Sequence, residues 1–484
     1  MDPYAFTEGG SSQLAFQRAG NAGATAARLV LTWRAVAPGG SVKPGGFDAT
    51  DSNSPQYNQA QWAAFDLQVR RAVEAGLDPI VSISLAPDWA EGPEDWLPGT
   101  VRPDPTEFGL FAQAAAKRYS GLFPGLEGIR VRYWQAWNEP NIKDFFWPHF
   151  LNGVLFSPGH YRQMVNAFAA NVRSVATNDG TTNLVVAGGL APFGHTNQVG
   201  PLRFMRAMLC ISKTNRAVAG CGTGVNFDIW STHPYTEGGP THAALSPDNV
   251  SIGDLPDMRA VLRAALRAGH VRANRPVEFW VTEFSWDSKP ADPRGVPSTL
   301  HARWTAEALY RMSRAGVSLV TWFQTRDHPF PASPYQSGFY YCGSPSLSDD
   351  NACGYASSQN DVPKRSLQAF RFPFVVFAAR SRISAWGRTP TSQLGSVRIE
   401  RKTRRGWKGV KTLSARSTGI FSGVWRSRDT RGLYRARFLT DPTWGASVPF
   451  SLVRPRDRTI FPFGCGGGIP CRATSRSGAR EAIR

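Results

Sequence analysis

Seven short apolar runs, each nearly unbroken and separated from the next by a longer stretch, occupy the first 330 residues: 27–33, 78–85, 129–137, 183–189, 227–232, 277–284 and 317–324. Continuous hydrophobicity of that length suits strands buried on both faces, as in parallel sheets. The intervening sequence fits crossover helices. Residues 62–76 repeat apolar positions at three and four and close on Gly76, and residues 301–315 do the same. Strand and helix in strict alternation predict an α/β fold, a (β/α)8 TIM barrel in which one βα unit is incomplete. The incomplete unit precedes residue 27: residues 14–22 read as its helix, but no run ahead of them reads as its strand. The expectation is that the chain begins late and lost its first strand together with an export signal, since an unpaired gap would expose two strand edges. A barrel of seven strands, or one irregularly closed, is the alternative.

Beyond the last run the texture changes. Residues 327–361 are rich in Pro, Ser, Gly and Tyr and read as a long functional loop, followed by a short helix at 364–370. Alternating runs then recur about every ten residues, at 382–386, 396–401, 407–413, 419–425, 433–439 and 448–453, the rhythm of a small antiparallel β-sandwich. The expected organisation is a catalytic barrel over residues 1–370, a basic sandwich over 371–463 and a Gly- and Arg-rich tail over 464–484. Of a net charge of +19, +17 falls from Ser381 onward. Such a module could grip an anionic or cell-wall polysaccharide; equally, an Arg-biased composition could merely coat a solvated surface. No zinc-finger, RNP or KH-type motif argues for nucleic acid, and no run reaches the ~18 apolar residues of a membrane span.

The six cysteines fall into three close pairs, Cys210/Cys221, Cys342/Cys353 and Cys465/Cys471. None has the CxxC spacing of zinc or redox sites. Three disulfides stapling loops are expected, and with them a secreted or cell-surface location; buried free thiols are the other reading.

The chemistry concentrates at two strand ends. In Tyr133-Trp134-Gln135-Ala136-Trp137-Asn138-Glu139-Pro140-Asn141 an aromatic strand runs into Asn-Glu-Pro, and the proline ends the ladder. In Val277-Glu278-Phe279-Trp280-Val281-Thr282-Glu283-Phe284-Ser285-Trp286 the alternation carries Glu283 to a C-terminal end as well. Both glutamates therefore reach the barrel face where such folds keep their active sites. Two carboxyl groups facing across a cleft are the apparatus of glycoside hydrolysis. The tryptophans Trp33, Trp89, Trp137, Trp286 and Trp322 could stack on sugar faces or pack the core, with Trp322, beside Phe323 and Gln324 at the last strand end, the best candidate for the sugar at the cleavage point.

These two motifs resemble the acid/base and nucleophile strands of clan A glycoside hydrolases. They are most similar to family thirty-nine, which holds β-xylosidases, α-L-iduronidases and some bacterial exopolysaccharide endoglycosidases, and more distantly to family five. The resemblance implies a retaining double displacement on a carbohydrate substrate, without metal or organic cofactor. It makes Glu139 the acid/base and Glu283 the nucleophile. Asn138 would bond the sugar 2-hydroxyl, Arg28 would keep the nucleophile ionised, and His233 and Tyr235 would contact nucleophile or substrate. Two readings stand against a hydrolase: a barrel that binds carbohydrate or serves as a surface scaffold without catalysis, and a transglycosylase using the same glutamates.

Overall fold

The seven apolar runs become the seven strands of one curled, all-parallel sheet: β1 (Ala26–Thr32), β2 (Asp78–Ser84), β3 (Tyr133–Ala136), β4 (Leu184–Leu190), β5 (Ile229–Thr232), β6 (Glu278–Val281) and β7 (Leu319–Val320). The computed structural model describes residues 9–194, 198–222, 224–330, 333, 335–343, 359–427 and 431–453. Strand order follows chain order, so every neighbour is reached by one crossover. Apart from one turn at Trp33–Val36, the α-helices among the described residues are α1 (Gly9–Asn21), α2 (Gln59–Glu74), α3 (Pro105–Arg118), α4 (Ser157–Arg173), α5 (Pro201–Leu209), α6 (Leu255–Arg267), α7 (Ser298–Ala315) and α8 (Arg365–Arg371). Sequence explains their ends: Asn58 and Asp104 accept backbone N–H groups at the starts of α2 and α3, and Gly316, in a left-handed conformation, ends α7.

Strands are shorter than the apolar runs suggest where turns interrupt the pairing. Over 129–137 only Tyr133–Ala136 is strand, because Ile129 closes a turn on Leu126 and Val131 bonds to Tyr119 instead. Side chains alternate between two cores. Outward residues join the large core under the helices, whereas Ile80, Leu184, Val186, Ile229 and Trp280, with Ala26, Tyr133 and Leu319 against them, fill the barrel interior. That apolar layer plugs the barrel and leaves its upper layers for polar groups.

The C-terminal region folds as expected into two antiparallel sheets. One holds β8 (Phe374–Ala379), β9 (Arg382–Arg388) and β12 (Ile420–Arg426); the other holds β10 (Gly395–Thr403), β11 (Gly406–Ala415), β13 (Leu433–Phe438) and β14 (Phe450–Ser451). Their common core takes in Ala302 and Ala306 of α7 and Ala369 of α8. The sandwich thus packs into the barrel's helical shell. Cys210 and Cys221 form a disulfide. Cys342 is disulfide-bonded as well, while Cys353, Cys465, Cys471 and the expected tail over 464–484 lie outside the described residues. Among the described residues no helix is long and apolar enough to cross a membrane.

Candidate active site

Above the apolar plug the inward positions turn polar: Arg28 on β1, Ser82 on β2, Gln135 on β3 and Ser231 on β5, each two residues beyond a plug residue or its neighbour in register. Arg28 organises this layer. It is 2% exposed, and its guanidinium donates to Glu283 Oε2 (3.0 Å), Asn138 Oδ1 (2.8 Å), Gln135 Oε1 (3.1 Å) and Ser82 Oγ (3.2 Å). One planar fork therefore ties three strands to the nucleophile candidate, a task a point-charge lysine could not perform.

Glu139 and Glu283 leave β3 and β6 at their C-terminal ends and converge. A carboxyl oxygen of each and a ring nitrogen of His233 lie within 4.8 Å of one another. His233 Nδ1 shares a 2.9 Å hydrogen bond with Glu139 Oε1, and its Nε2 meets Thr282 Oγ1 at 3.2 Å. The Tyr235 hydroxyl donates to Glu283 Oε1 at 2.7 Å. The two glutamates singled out by their motifs and the four residues that the family resemblance adds to them, Arg28, Asn138, His233 and Tyr235, meet in one network. Gln135, Ser82 and Thr282 were missed; the available signal was a polar side chain at an inward position of an otherwise apolar strand.

The backbone is bent to make this possible. Glu139 has φ of 45° and Trp137 φ of 70°, both in the left-handed region. The Glu139 N–H donates to Gly189 O (3.0 Å) across the irregularity in β4 at Gly188–Leu190. Gly189 is required there: its φ is 57°, and a Cβ would stand 2.7 Å from Gln135 Nε2.

The two carboxyl groups are pushed apart electrostatically. Burial raises the Glu139 pKa above the ordinary glutamate value, a push only partly offset by the His233 hydrogen bond. Burial raises Glu283 too, but the charges of His233 and Arg28 and the Tyr235 hydroxyl outweigh it, and its pKa ends below the ordinary value. Burial sends the Tyr235 hydroxyl pKa well upward, so it stays a donor. Glu139, His233 and Glu283 offer three donor atoms at metal-binding separations, yet Arg28 already holds Glu283 Oε2 and would repel a divalent cation.

The aromatic expectations fare differently. Trp33 is 1% exposed, packed among Trp89, Phe108 and Phe111, and Trp89 lies edge-on to it with Nε1 donating to Pro38 O. Trp137 and Trp286 are fully buried. Trp322 points outward: it stacks on Phe339 at 4.9 Å and donates to Ser337 O. Leu319 faces the interior and Trp322, three residues on, faces the helices, as alternation requires. Trp33 and Trp322 are both buried and pack against neighbouring rings. Gln324 is 1% exposed, donating from Nε2 to Tyr335 O.

No family model matches the chain, and no curated protein does. Among solved structures it is similar to a family 39 glycoside hydrolase from the gut symbiont Bacteroides cellulosilyticus WH2, at 16% identity and a TM-score of 0.48 over 86% of this chain and 76% of that one. It is also similar to a glucosidase from Croceicoccus marinus (13% identity, TM-score 0.45, 85% of this chain and 89% of that one). A third is a GH30 endoxylanase from Clostridium papyrosolvens C71 (14% identity, TM-score 0.41, 86% of this chain and 90% of that one). These neighbours are glycoside hydrolases.

Proposed function

We propose that this chain is a retaining glycoside hydrolase acting on the O-glycosidic bonds of an oligo- or polysaccharide, with Glu139 as acid/base and Glu283 as nucleophile. One observation carries the reading: two carboxyl groups within 4.8 Å at their nearest oxygens, with pKa values moved in opposite directions by their surroundings. Retaining enzymes hold their carboxyls about 5 to 5.5 Å apart, inverting ones about 6.5 to 9.5 Å, the latter leaving room for a water. The spacing here favours direct attack.

In the first step Glu139, whose hold on its proton burial strengthens, delivers that proton to the glycosidic oxygen while Glu283 attacks the anomeric carbon and forms a glycosyl ester. Glu139, now a carboxylate, takes a proton from water as that water attacks the same carbon and releases Glu283. His233 positions Glu139. Arg28 and Tyr235 orient the two oxygens of Glu283, and Arg28 also occupies Asn138 Oδ1, which turns the Asn138 amide N–H₂ toward a substrate hydroxyl. The Cys210–Cys221 disulfide supports an exported enzyme.

Glu139→Gln and Glu283→Ala are each expected to abolish turnover of aryl glycosides and polysaccharides while leaving the fold intact, and product NMR on the parent enzyme to show retained anomeric configuration. An inverted product, or activity surviving either substitution, refutes the assignment. New glycosides formed from added sugar acceptors in place of hydrolysis would identify a transglycosylase.

A further inference from the structure

Trp33, Trp137, Trp286 and Trp322, four of the five tryptophans expected at the sugar site, are buried. The open rings stand elsewhere. Trp96 lies in the loop that carries β2 into α3, and Trp147 in the loop that carries β3 into α4. Both loops leave C-terminal strand ends, at the mouth of the barrel. Trp96 is 37% exposed, the most of any tryptophan among the described residues, and Leu97 beside it is exposed as well. The two indoles stack at 4.8 Å between ring centres, with 24° between their planes, and neither packs into the barrel core.

Backbone bonds fix the pair in place. Trp147 N donates to Thr100 O (2.9 Å) and Arg102 N to Trp147 O (2.8 Å), which fastens the two loops together beside Val101. Glu91 closes the first loop on itself, its carboxylate accepting the N–H groups of Gly99 and Val101, both at 2.7 Å. Trp96 Nε1 donates to Lys143 O at 2.9 Å. The polar edge of this indole is therefore satisfied within the protein, and the rest of its open surface is apolar. A ring already ordered in this way loses little further freedom when a ligand binds.

The pair also has a fixed relation to the active site. Trp147 follows Glu139 by eight residues, and the chain between them winds through turns closed by Ile142 N on Glu139 O and Phe146 N on Ile142 O. At about 1.5 Å per residue, as in a helical turn, that path covers roughly 12 Å. A sugar at Trp96 is thus not the one whose bond is cut, but a longer chain reaches both places. Residues 92–102 and 141–147 carry Arg102 and Lys143 against Glu94, Asp95 and Asp144, with Arg102 bound to Glu94 at 2.8 Å. This near-balance of charge does not select an anionic ligand. Glucose and xylose units in β-1,4 chains fit instead, because their hydroxyls lie around the ring edge and leave C–H bonds on both faces.

We propose that Trp96, braced by Trp147, forms a subsite away from the cleavage point that stacks on a glucose or xylose unit of a neutral β-1,4-glycan. The ligand class rests on the glycosidase reading, which the subsite extends to a preference for long chains over short ones. Lys143 Nζ, 5.7 Å from the centre of the Trp96 ring, is placed to donate to a hydroxyl of the stacked unit.

The test uses Glu139→Gln protein, which can hold a chain without cleaving it. Cellohexaose, xylohexaose and, as short probes, phenyl β-glucoside and phenyl β-xyloside are titrated into it by calorimetry. At least one hexaose should bind, which identifies the sugar. Adding Trp96→Ala should weaken that hexaose about tenfold or more, and the matching phenyl glycoside far less. Trp96→Leu, apolar but without a flat face, gives the same result if the alanine variant does not fold. Trp96→Phe separates stacking from bracing: it keeps a ring and cuts the bond to Lys143 O, so it should retain most of the affinity. A loss in Trp96→Phe as large as in Trp96→Ala overturns the proposal, because an indole that only ties its loop would behave that way. So do hexaose binding untouched by Trp96→Ala, equal losses on hexaose and phenyl glycoside, and failure of both hexaoses to bind. Binding is read without turnover, so the two readings fail separately. Trp96-dependent binding in a chain whose parent cleaves nothing sinks the hydrolase and leaves the subsite; cleavage with Trp96-independent binding does the reverse.

Discussion

Replacing Arg28 tests the electrostatics of the site most directly. Its side chain is fully buried and that of Glu283 is 17% exposed, at 3.0 Å from it. A hydrogen bond to a charged group contributes about 1.5–3 kcal/mol. At about 1.36 kcal/mol per pH unit, Arg28→Met should raise the Glu283 pKa by about one to two units, since burial then acts against fewer charges. The nucleophile must be ionised, so the acid limb of the kcat/KM profile moves to higher pH by that amount. Losing three further bonds to Asn138, Gln135 and Ser82 destabilises the fold as well, by about 3–5 kcal/mol if Glu283 remains charged. Arg28→Lys guards against simple unfolding: it keeps the charge but cannot reach four partners, and should show a smaller pH displacement with a marked loss of kcat. The measurements are pH–rate profiles on an aryl glycoside and thermal unfolding by circular dichroism. An acid limb that stays in place in a folded Arg28→Met protein would refute the claim that this arginine keeps Glu283 ionised.

Tyr235→Phe removes the 2.7 Å bond to Glu283 Oε1; at about 1.5–3 kcal/mol kcat should fall about tenfold or more, read by steady-state kinetics with the midpoint little changed. Burial holds the Glu139 pKa above its unfolded value, so its contribution to stability is full below the ordinary carboxylate pKa and is lost as pH rises through the raised one. Glu139→Gln should therefore unfold at a higher temperature than the parent at pH 7, with the difference shrinking toward pH 4; a lower midpoint at pH 7 contradicts this. Trp33→Ala should cost about 3–5 kcal/mol of stability and leave KM unaltered below the melting range, whereas a KM effect without destabilisation would restore Trp33 to the sugar-binding surface.

The strands were legible because a parallel strand buried on both faces is apolar along most of its length, and that pattern needs no partner to be seen. Their ends were less so: Ile129-Arg130-Val131 carries the alternation of a strand but spends its backbone bonds on a turn and on Tyr119. The glutamates stood out because a carboxylate at the end of an apolar strand has few structural uses. Arg28, His233 and Tyr235 depended on family resemblance, since a lone basic or aromatic residue in a strand looks the same whether it grips a substrate or a neighbour. For tryptophan the sequence is weakest. Composition cannot say which way a ring faces, and at Trp322 one step of alternation decides between barrel mouth and helix-side core.

The left-handed backbone at Glu139 carries a consequence for how this lineage can drift. Non-glycine residues hold that conformation at about 1–2 kcal/mol, and glycine or asparagine would relieve it. Position 139 is thus a place where heat resistance and turnover pull toward different amino acids. Once hydrolysis is no longer under selection, the first substitutions to accumulate there should toughen the molecule as they silence it, and heat-hardy, catalytically dead descendants should carry glycine or asparagine between Asn138 and Pro140.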